Sequence, residues 1–206
     1  MQTVEQLKEA KIVAILRGNY VGRWEEYAGA LLEGGIRALE ITLNSPGAPD
    51  GIRTLSAKIG GRALIGAGTV LTADAARTAI EAGAQFIVAP DTTPEVIAVC
   101  KESGIPAIPG AYTPTEIRRA WELGASLVKV FPSLTPAYVK AIRGPFNDIP
   151  LMITGGVNLD NAVEFLQAGA QVVGVGNNMT GDHLSLAEIT RRASDFVKSV
   201  GALNAV

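Results

Sequence analysis

Short runs of apolar residues alternate with longer segments in which apolar and polar positions mix. Five of the runs begin just after a turn of small residues: GGIRALEIT from Gly34, AGAQFIVAP from Ala82, SGIPAIPG from Ser103, LGASLVKVFP from Leu123 and AGAQVVGVG from Ala168. The second residue of each turn is a glycine, at Gly35, Gly83, Gly104, Gly124 and Gly169, giving intervals of 48, 21, 20 and 45 residues. Each long interval holds one further apolar run, ALIGAG at 63–68 and PLMIT at 150–154, and KIVAIL at 11–16 opens the series. Near-continuous apolar runs bounded by turn residues read as strands of a buried parallel sheet. The segments between them carry helix start signals. Thr93-Pro94-Glu95 and Thr113-Pro114-Thr115-Glu116 place a capping Thr before a first-turn Pro and an early Glu. Thr72 and Asn158 stand ahead of ADAARTAIEAG and LDNAVEFLQAG, and Thr3-Val4-Glu5-Gln6 reads as a capping box for a short helix before the first strand. The repeated glycine at the far end of these segments fits a helix C-cap. Eight β/α units predict an α/β fold, a single (β/α)8 TIM barrel with a short N-terminal helix. An open doubly wound sheet is the rival that the even spacing disfavours.

A chain of 206 residues matches one domain spanning 1–206, and no linker or shift of composition divides it. Of its residues 48% are hydrophobic and 18% charged, with a net charge of −2. No basic stripe suits nucleic acid, no apolar run reaches the roughly 18 residues of a membrane helix, and MQTVEQLKEAK lacks the apolar core of a signal peptide. A cytoplasmic location is expected. The composition also narrows the chemistry. With one His (His183) and one Cys (Cys100) the chain has no set of histidines for a zinc site, no CxxC pair and no internal disulfide. Catalysis, if present, falls to Lys, Glu, Arg and backbone amides.

Two strand-like runs carry an ionisable residue at their middle: Lys129 in Leu127-Val128-Lys129-Val130-Phe131 and Glu40 in Ala38-Leu39-Glu40-Ile41-Thr42-Leu43. The other six lysines lie in helical segments or at a strand edge. Alternation puts Lys129 on one face with Leu127 and Phe131, and Glu40 with Thr42 and Asn44. If those faces point inward, the two groups share the barrel interior. A buried structural ion pair is the plain alternative, but such a pair often stabilises no better than hydrophobic residues in the same space. Burial depresses a lysine pKa while a carboxylate raises it, and the expected net direction is down, toward the neutral amine that condenses with carbonyls. Further signals fall at strand C-terminal ends, where barrel enzymes place their sites. Arg17 closes the first strand, Thr69 the third, Thr154-Gly155-Gly156 the seventh and Gly174-Val175-Gly176-Asn177 the eighth. Glycines after the last two strands suit a phosphate cradle of backbone N–H groups, assisted by a helix N-terminus.

Taken together, Ala14-Ile15-Leu16-Arg17, Glu40-Ile41-Thr42-Leu43, Gly66-Ala67-Gly68-Thr69-Val70-Leu71, Ile108-Pro109-Gly110, Lys129-Val130-Phe131-Pro132 and Thr154-Gly155-Gly156-Val157 resemble the class I aldolases that cleave 2-keto-3-deoxy-6-phosphogluconate or its galactonate epimer. The pieces occur in the family's order over nearly the whole chain. The resemblance implies a barrel that assembles as a homotrimer and needs no metal or organic cofactor. It also implies that Lys129 forms the Schiff base and Glu40 shuttles protons. By the same resemblance Thr69 and Arg17 hold the substrate carboxylate, Pro90 and Phe131 pack on the pyruvyl part, and Gly155, Gly156, Gly176 and Asn177 bind the phosphate. The partners implied are a phosphorylated keto sugar acid and pyruvate. Gluconate-type members often carry Arg where this chain has Asn44, and the run Leu43-Asn44-Ser45-Pro46 resembles the galactonate branch, whereas Thr154 resembles the gluconate type. Asn177 replaces a common Ser, and the loop Pro132-Ser133-Leu134-Thr135-Pro136 is shorter than usual.

Three other readings stay open: an aldolase for unphosphorylated 4-hydroxy-2-oxoglutarate, a phosphate-binding isomerase or epimerase using Glu40 as base, and a sugar-phosphate sensor without turnover. Cys100 reads as a buried small hydrophobe, Trp24 and Trp121 as helix packing, and His183 as a solvated loop residue. Arg118-Arg119 and Arg191-Arg192 read as helix surface charge.

Overall fold

The structure is a computed structural model and describes residues 2–133 and 135–204. The strands are β1 (Ile12–Leu16), β2 (Ala38–Thr42), β3 (Leu64–Gly68), β4 (Ile87–Val88), β5 (Ala107–Ile108), β6 (Gly110–Ala111), β7 (Val128–Val130), β8 (Leu151–Thr154) and β9 (Val172–Val175). All ladders are parallel, in the order β5-β4-β3-β2-β1-β9-β8-β7-β6. The two ends of that order are consecutive in the chain. Proline cannot donate to a ladder, and Pro109 divides one run into β5, which pairs with β4, and β6, which pairs with β7. The sheet thereby closes into a barrel of eight β/α units, as the spacing predicts.

Helices α2 (Trp24–Glu33), α3 (Ala48–Ile59), α4 (Ala73–Glu81), α5 (Pro94–Glu102), α6 (Pro114–Glu122), α7 (Pro136–Arg143), α8 (Ala162–Gln167) and α9 (Leu186–Gly201) follow the strands in turn, and α1 (Gln2–Ala10) precedes β1. Strand alternation divides the apolar residues between two cores. Outward residues such as Leu39, Ile65, Val128 and Ile153 pack under the helices. Inward residues, among them Val13, Ala38, Leu64, Phe86, Ile108 and Leu127, fill the lower barrel, where Leu7 of α1 plugs it. The upper interior is left to polar groups.

All five recurrent glycines end helices in the same way. At each, the glycine N–H and the next residue's N–H donate to carbonyls of the last turn, as with Gly124 to Trp121 (3.0 Å) and Ala125 to Ala120 (3.2 Å). This is the Schellman arrangement, which places the glycine in a left-handed conformation. Gly124 has φ 105° and open space where a Cβ would stand. Gly124→Ala should therefore cost about 1–2 kcal/mol by backbone strain alone, measurable as a shifted urea midpoint with an unchanged slope.

The start signals hold at Thr72 and Thr113, whose hydroxyls accept from Ala75 and Glu116, the latter within a full capping box. Three expectations change. Thr93 stands at the N-cap of α5, but its hydroxyl accepts no capping hydrogen bond from the helix. Asn158 accepts from the N–H groups of Asp160 and Asn161, closing a turn, so that α8 begins later with Asn161 at its N-cap. Thr3 lies inside α1 rather than at its cap, because the helix already begins at Gln2; its buried Leu7 docks beneath the barrel. The short 132–136 loop includes Leu134, which lies outside the described residues.

Candidate active site

Glu40 and Lys129 are the only buried charged side chains among the described residues. Their burial follows from strand register. Glu40 lies between Ile15 on β1 and Gly66 on β3, and Lys129 between Gly110 on β6 and Met152 on β8. One register neighbour of each is a glycine packed tightly by other groups, Gly66 by the Phe86 ring and Gly110 by the Pro90 and Asp91 backbone. Gly68, two residues further along β3, makes room for Glu40 itself: a Cβ there would collide with Oε1 of its carboxyl.

No ion pair joins the two groups among the described residues. Neither carboxylate oxygen of Glu40 has a hydrogen-bond partner there, and the buried Thr154 Oγ1 has none either. The Lys129 ammonium sits 4.9 Å from the centroid of the Phe131 ring. Burial pushes the Glu40 carboxyl above its usual range, against the pull of Lys129 and Arg17. Burial likewise pulls Lys129 below the usual lysine range; Glu40 opposes this and Arg17 reinforces it. The carboxyl and the amine therefore move toward each other, the condition in which one fold runs acid and base chemistry near neutral pH.

Above them a cavity of about 220 Å³ opens at the strand C-terminal ends. Lys129, Phe131, Thr154 and Arg17 line it together with the Gly155-Gly156 and Gly176-Asn177 loops, bringing together eight of the eleven site residues named from the sequence. The other three adjoin it. Glu40 lies beneath, and Thr69 accepts a hydrogen bond from the Arg17 guanidinium at 3.3 Å. Pro90 packs against Gly110, the register neighbour of Lys129. Thr69 has φ 57°, a left-handed conformation that is strained for a β-branched residue and characteristic of sites where geometry is held for function.

In the upper loops Gly155 and Gly156 have φ 85° and 87°. Ser133 donates to the Gly155 carbonyl and Asn161 to the Gly156 carbonyl. In trans peptides the N–H groups of Gly156 and Val157 therefore point away from those partners. The helix N-terminus expected beside the cradle is replaced by a single turn, in which Met179 and Thr180 donate to the Gly176 carbonyl, since α8 and α9 start well beyond the loops. Ile15 and Asn178 also line the cavity, though neither was named as a site residue from the sequence; Asn178 donates to the Val157 carbonyl at 2.7 Å and ties the two loops together. A cavity of about 450 Å³ lies at the opposite end of the barrel between α1 and α5, but Lys129 and Glu40 do not reach it. The remaining conspicuous residues are structural: Cys100 is buried with its thiol pushed up to about 11, Trp24 packs on Tyr20, and His183 is exposed.

A buried amine and a buried carboxylate under the C-terminal mouth of a parallel barrel are the working parts of a lysine-dependent aldolase, a carbon–carbon lyase. Comparison with known proteins narrows this class. The profile of the KDPG and KHG aldolase family matches residues 3–192, and the chain belongs to that family. The 2-dehydro-3-deoxy-phosphogluconate aldolase of Treponema pallidum is 33% identical over 97% of this chain and 98% of its own. A solved structure of native KDPGal is 34% identical, with a TM-score of 0.91 over 95% of this chain and 96% of that one. KDPG aldolase from Legionella pneumophila, solved with pyruvate captured as a covalent carbinolamine intermediate, is 29% identical, with a TM-score of 0.80 over 97% of both chains.

Proposed function

We propose that this chain is a Schiff-base aldolase that cleaves 2-dehydro-3-deoxy-6-phosphogluconate, its galactonate epimer, or both, to pyruvate and glyceraldehyde 3-phosphate. The observation that carries the reading is the isolation of Lys129 and Glu40 as buried charges below one cavity. The neutral Lys129 amine attacks the C2 carbonyl carbon to give a carbinolamine. Glu40 protonates the carbinolamine hydroxyl, which leaves as water, giving the protonated imine and an ionised Glu40 carboxylate. Glu40 next removes the C4 hydroxyl proton. The C3–C4 electron pair flows into the imine, releasing glyceraldehyde 3-phosphate and leaving an enamine. Protonation at C3 and hydrolysis return pyruvate and the free amine.

Arg17 and Thr69 hold the carboxylate, Pro90 and Phe131 flank the pyruvyl portion, and Thr154 donates to the sugar-derived hydroxyls. Amides of the Gly155-Gly156 and Gly176-Asn177 loops hold the phosphate. The reading treats 1–206 as one aldolase domain in the cytoplasm, assembled as a homotrimer, which sedimentation velocity tests.

The deciding experiment is a coupled pyruvate-release assay on both epimeric phosphates and on 4-hydroxy-2-oxoglutarate. Charge-assisted hydrogen bonds contribute about 1.5–3 kcal/mol each, so two phosphate contacts predict a kcat/KM at least about 100-fold higher for the better phosphate. Equal rates with and without phosphate would overturn the phosphorylated substrate class.

A further inference from the structure

Arg17 is exposed at the end of β1, where nothing in its own strand holds the guanidinium in place. Its backbone, however, is gripped from β2. The Gly18 N–H donates to Ser45 Oγ at 3.1 Å, and Ser45 Oγ lies 3.0 Å from Thr42 Oγ1. Thr42 Oγ1 in turn donates to the Leu16 carbonyl at 3.3 Å. A hydroxyl has one hydrogen. Since Thr42 gives its hydrogen to Leu16, Ser45 must donate to Thr42, and the chain runs in one direction: Gly18 N–H to Ser45, Ser45 to Thr42, Thr42 to the Leu16 carbonyl. The peptide groups on both sides of Arg17 are therefore anchored to the same two hydroxyls.

Thr42 is fully buried and Ser45 is 5% exposed. Such a chain is satisfied at every link; losing Ser45 leaves the half-buried Gly18 N–H without this partner, and losing Thr42 removes the hydroxyl held by the Leu16 carbonyl. Thr42 also stands two residues beyond Glu40 on the same strand face. One short segment thus carries the buried carboxylate and sets the arginine. From the far side the Arg17 guanidinium reaches Thr69.

We infer that Thr42 and Ser45 are positioning residues that fix Arg17 for the substrate carboxylate through this hydroxyl chain. The inference rests on the reading of Arg17 as the carboxylate-binding residue. Ser45→Ala and Thr42→Val should raise KM for the favoured phosphorylated keto acid about 5- to 20-fold with kcat within about threefold, the effect of one lost buried hydrogen bond. Ser45→Thr, which keeps the hydroxyl, should restore KM to within about twofold.

The test is a double-mutant cycle of Ser45→Ala with Arg17→Ala, each protein first checked for native circular dichroism. In the Arg17→Ala background, Ser45→Ala should add less than about twofold to KM, because the group it positions is gone. Effects that multiply in full would show that Ser45 acts independently of Arg17 and overturn the inference. If Arg17→Ala alone leaves KM unchanged, the carboxylate role of Arg17 fails and the positioning role with it. If Thr42→Val does not fold, the Ser45 arm of the cycle decides alone.

Discussion

Lys129→Ala is expected to lose activity by about 10⁴-fold or more, since without a primary amine no imine forms and no electron sink exists for the C3–C4 bond. Lys129→Arg should be equally inactive. The guanidinium keeps the positive charge but stays protonated at any working pH and cannot attack a carbonyl. That pair of variants separates nucleophilic from electrostatic use of the lysine. An isomerase or epimerase working through Glu40 would retain substantial activity in Lys129→Arg. Pyruvate with borohydride should leave a reduced adduct on Lys129 in the wild type, located by peptide mass spectrometry. Recovery of an unmodified Lys129 peptide from folded, treated protein would remove the Schiff-base mechanism.

Glu40→Gln should lower kcat by about 10²–10⁴-fold, the usual contribution of a positioned general acid–base. Lys129 remains, so slow trapping by pyruvate and borohydride should persist, separating loss of proton transfer from loss of the nucleophile. The variant also has a signature in stability. Burial raises the Glu40 carboxyl above its ordinary value of 4.5. Between that value and the raised one, the native state keeps a proton that the unfolded chain has lost, so native stability falls as pH rises through the window. Glu40→Gln has no proton to lose. Its Tm should gain on the wild type as the pH rises above the ordinary carboxyl value of 4.5, and a difference that stays constant with pH would contradict burial of an ionisable Glu40.

The site was more legible in the sequence than its supports. Lys129 and Glu40 stand out because charges are rare inside apolar strand runs; a period of two assigns each to a strand face, and the closed barrel turns both faces inward. Arg17, Thr69 and the paired glycines could be placed because barrel sites gather at strand ends. Asn161, by contrast, competes with Asn158 for one helix cap, and local sequence does not arbitrate between them. Asn178 and Ile15 carry no distinctive pattern, and they matter only because the closed barrel sets β8, β9 and β1 side by side. The hydroxyl chain from Ser45 through Thr42 is of the same kind, since it joins residues 27 and 26 positions apart in sequence.

Sequence by itself determined the eight units, the five glycine helix stops and the two charges set inside apolar strand runs. All of these rest on short-range rules: strand alternation, helix capping and the conformational freedom of glycine. Only the tertiary structure decided which partners those charges meet. The barrel closes at Pro109, and strand register brings Gly68 of β3 beside Glu40, where a side chain would collide with the carboxyl. The same closure sinks both groups out of water, and that desolvation moves their pKa values toward each other.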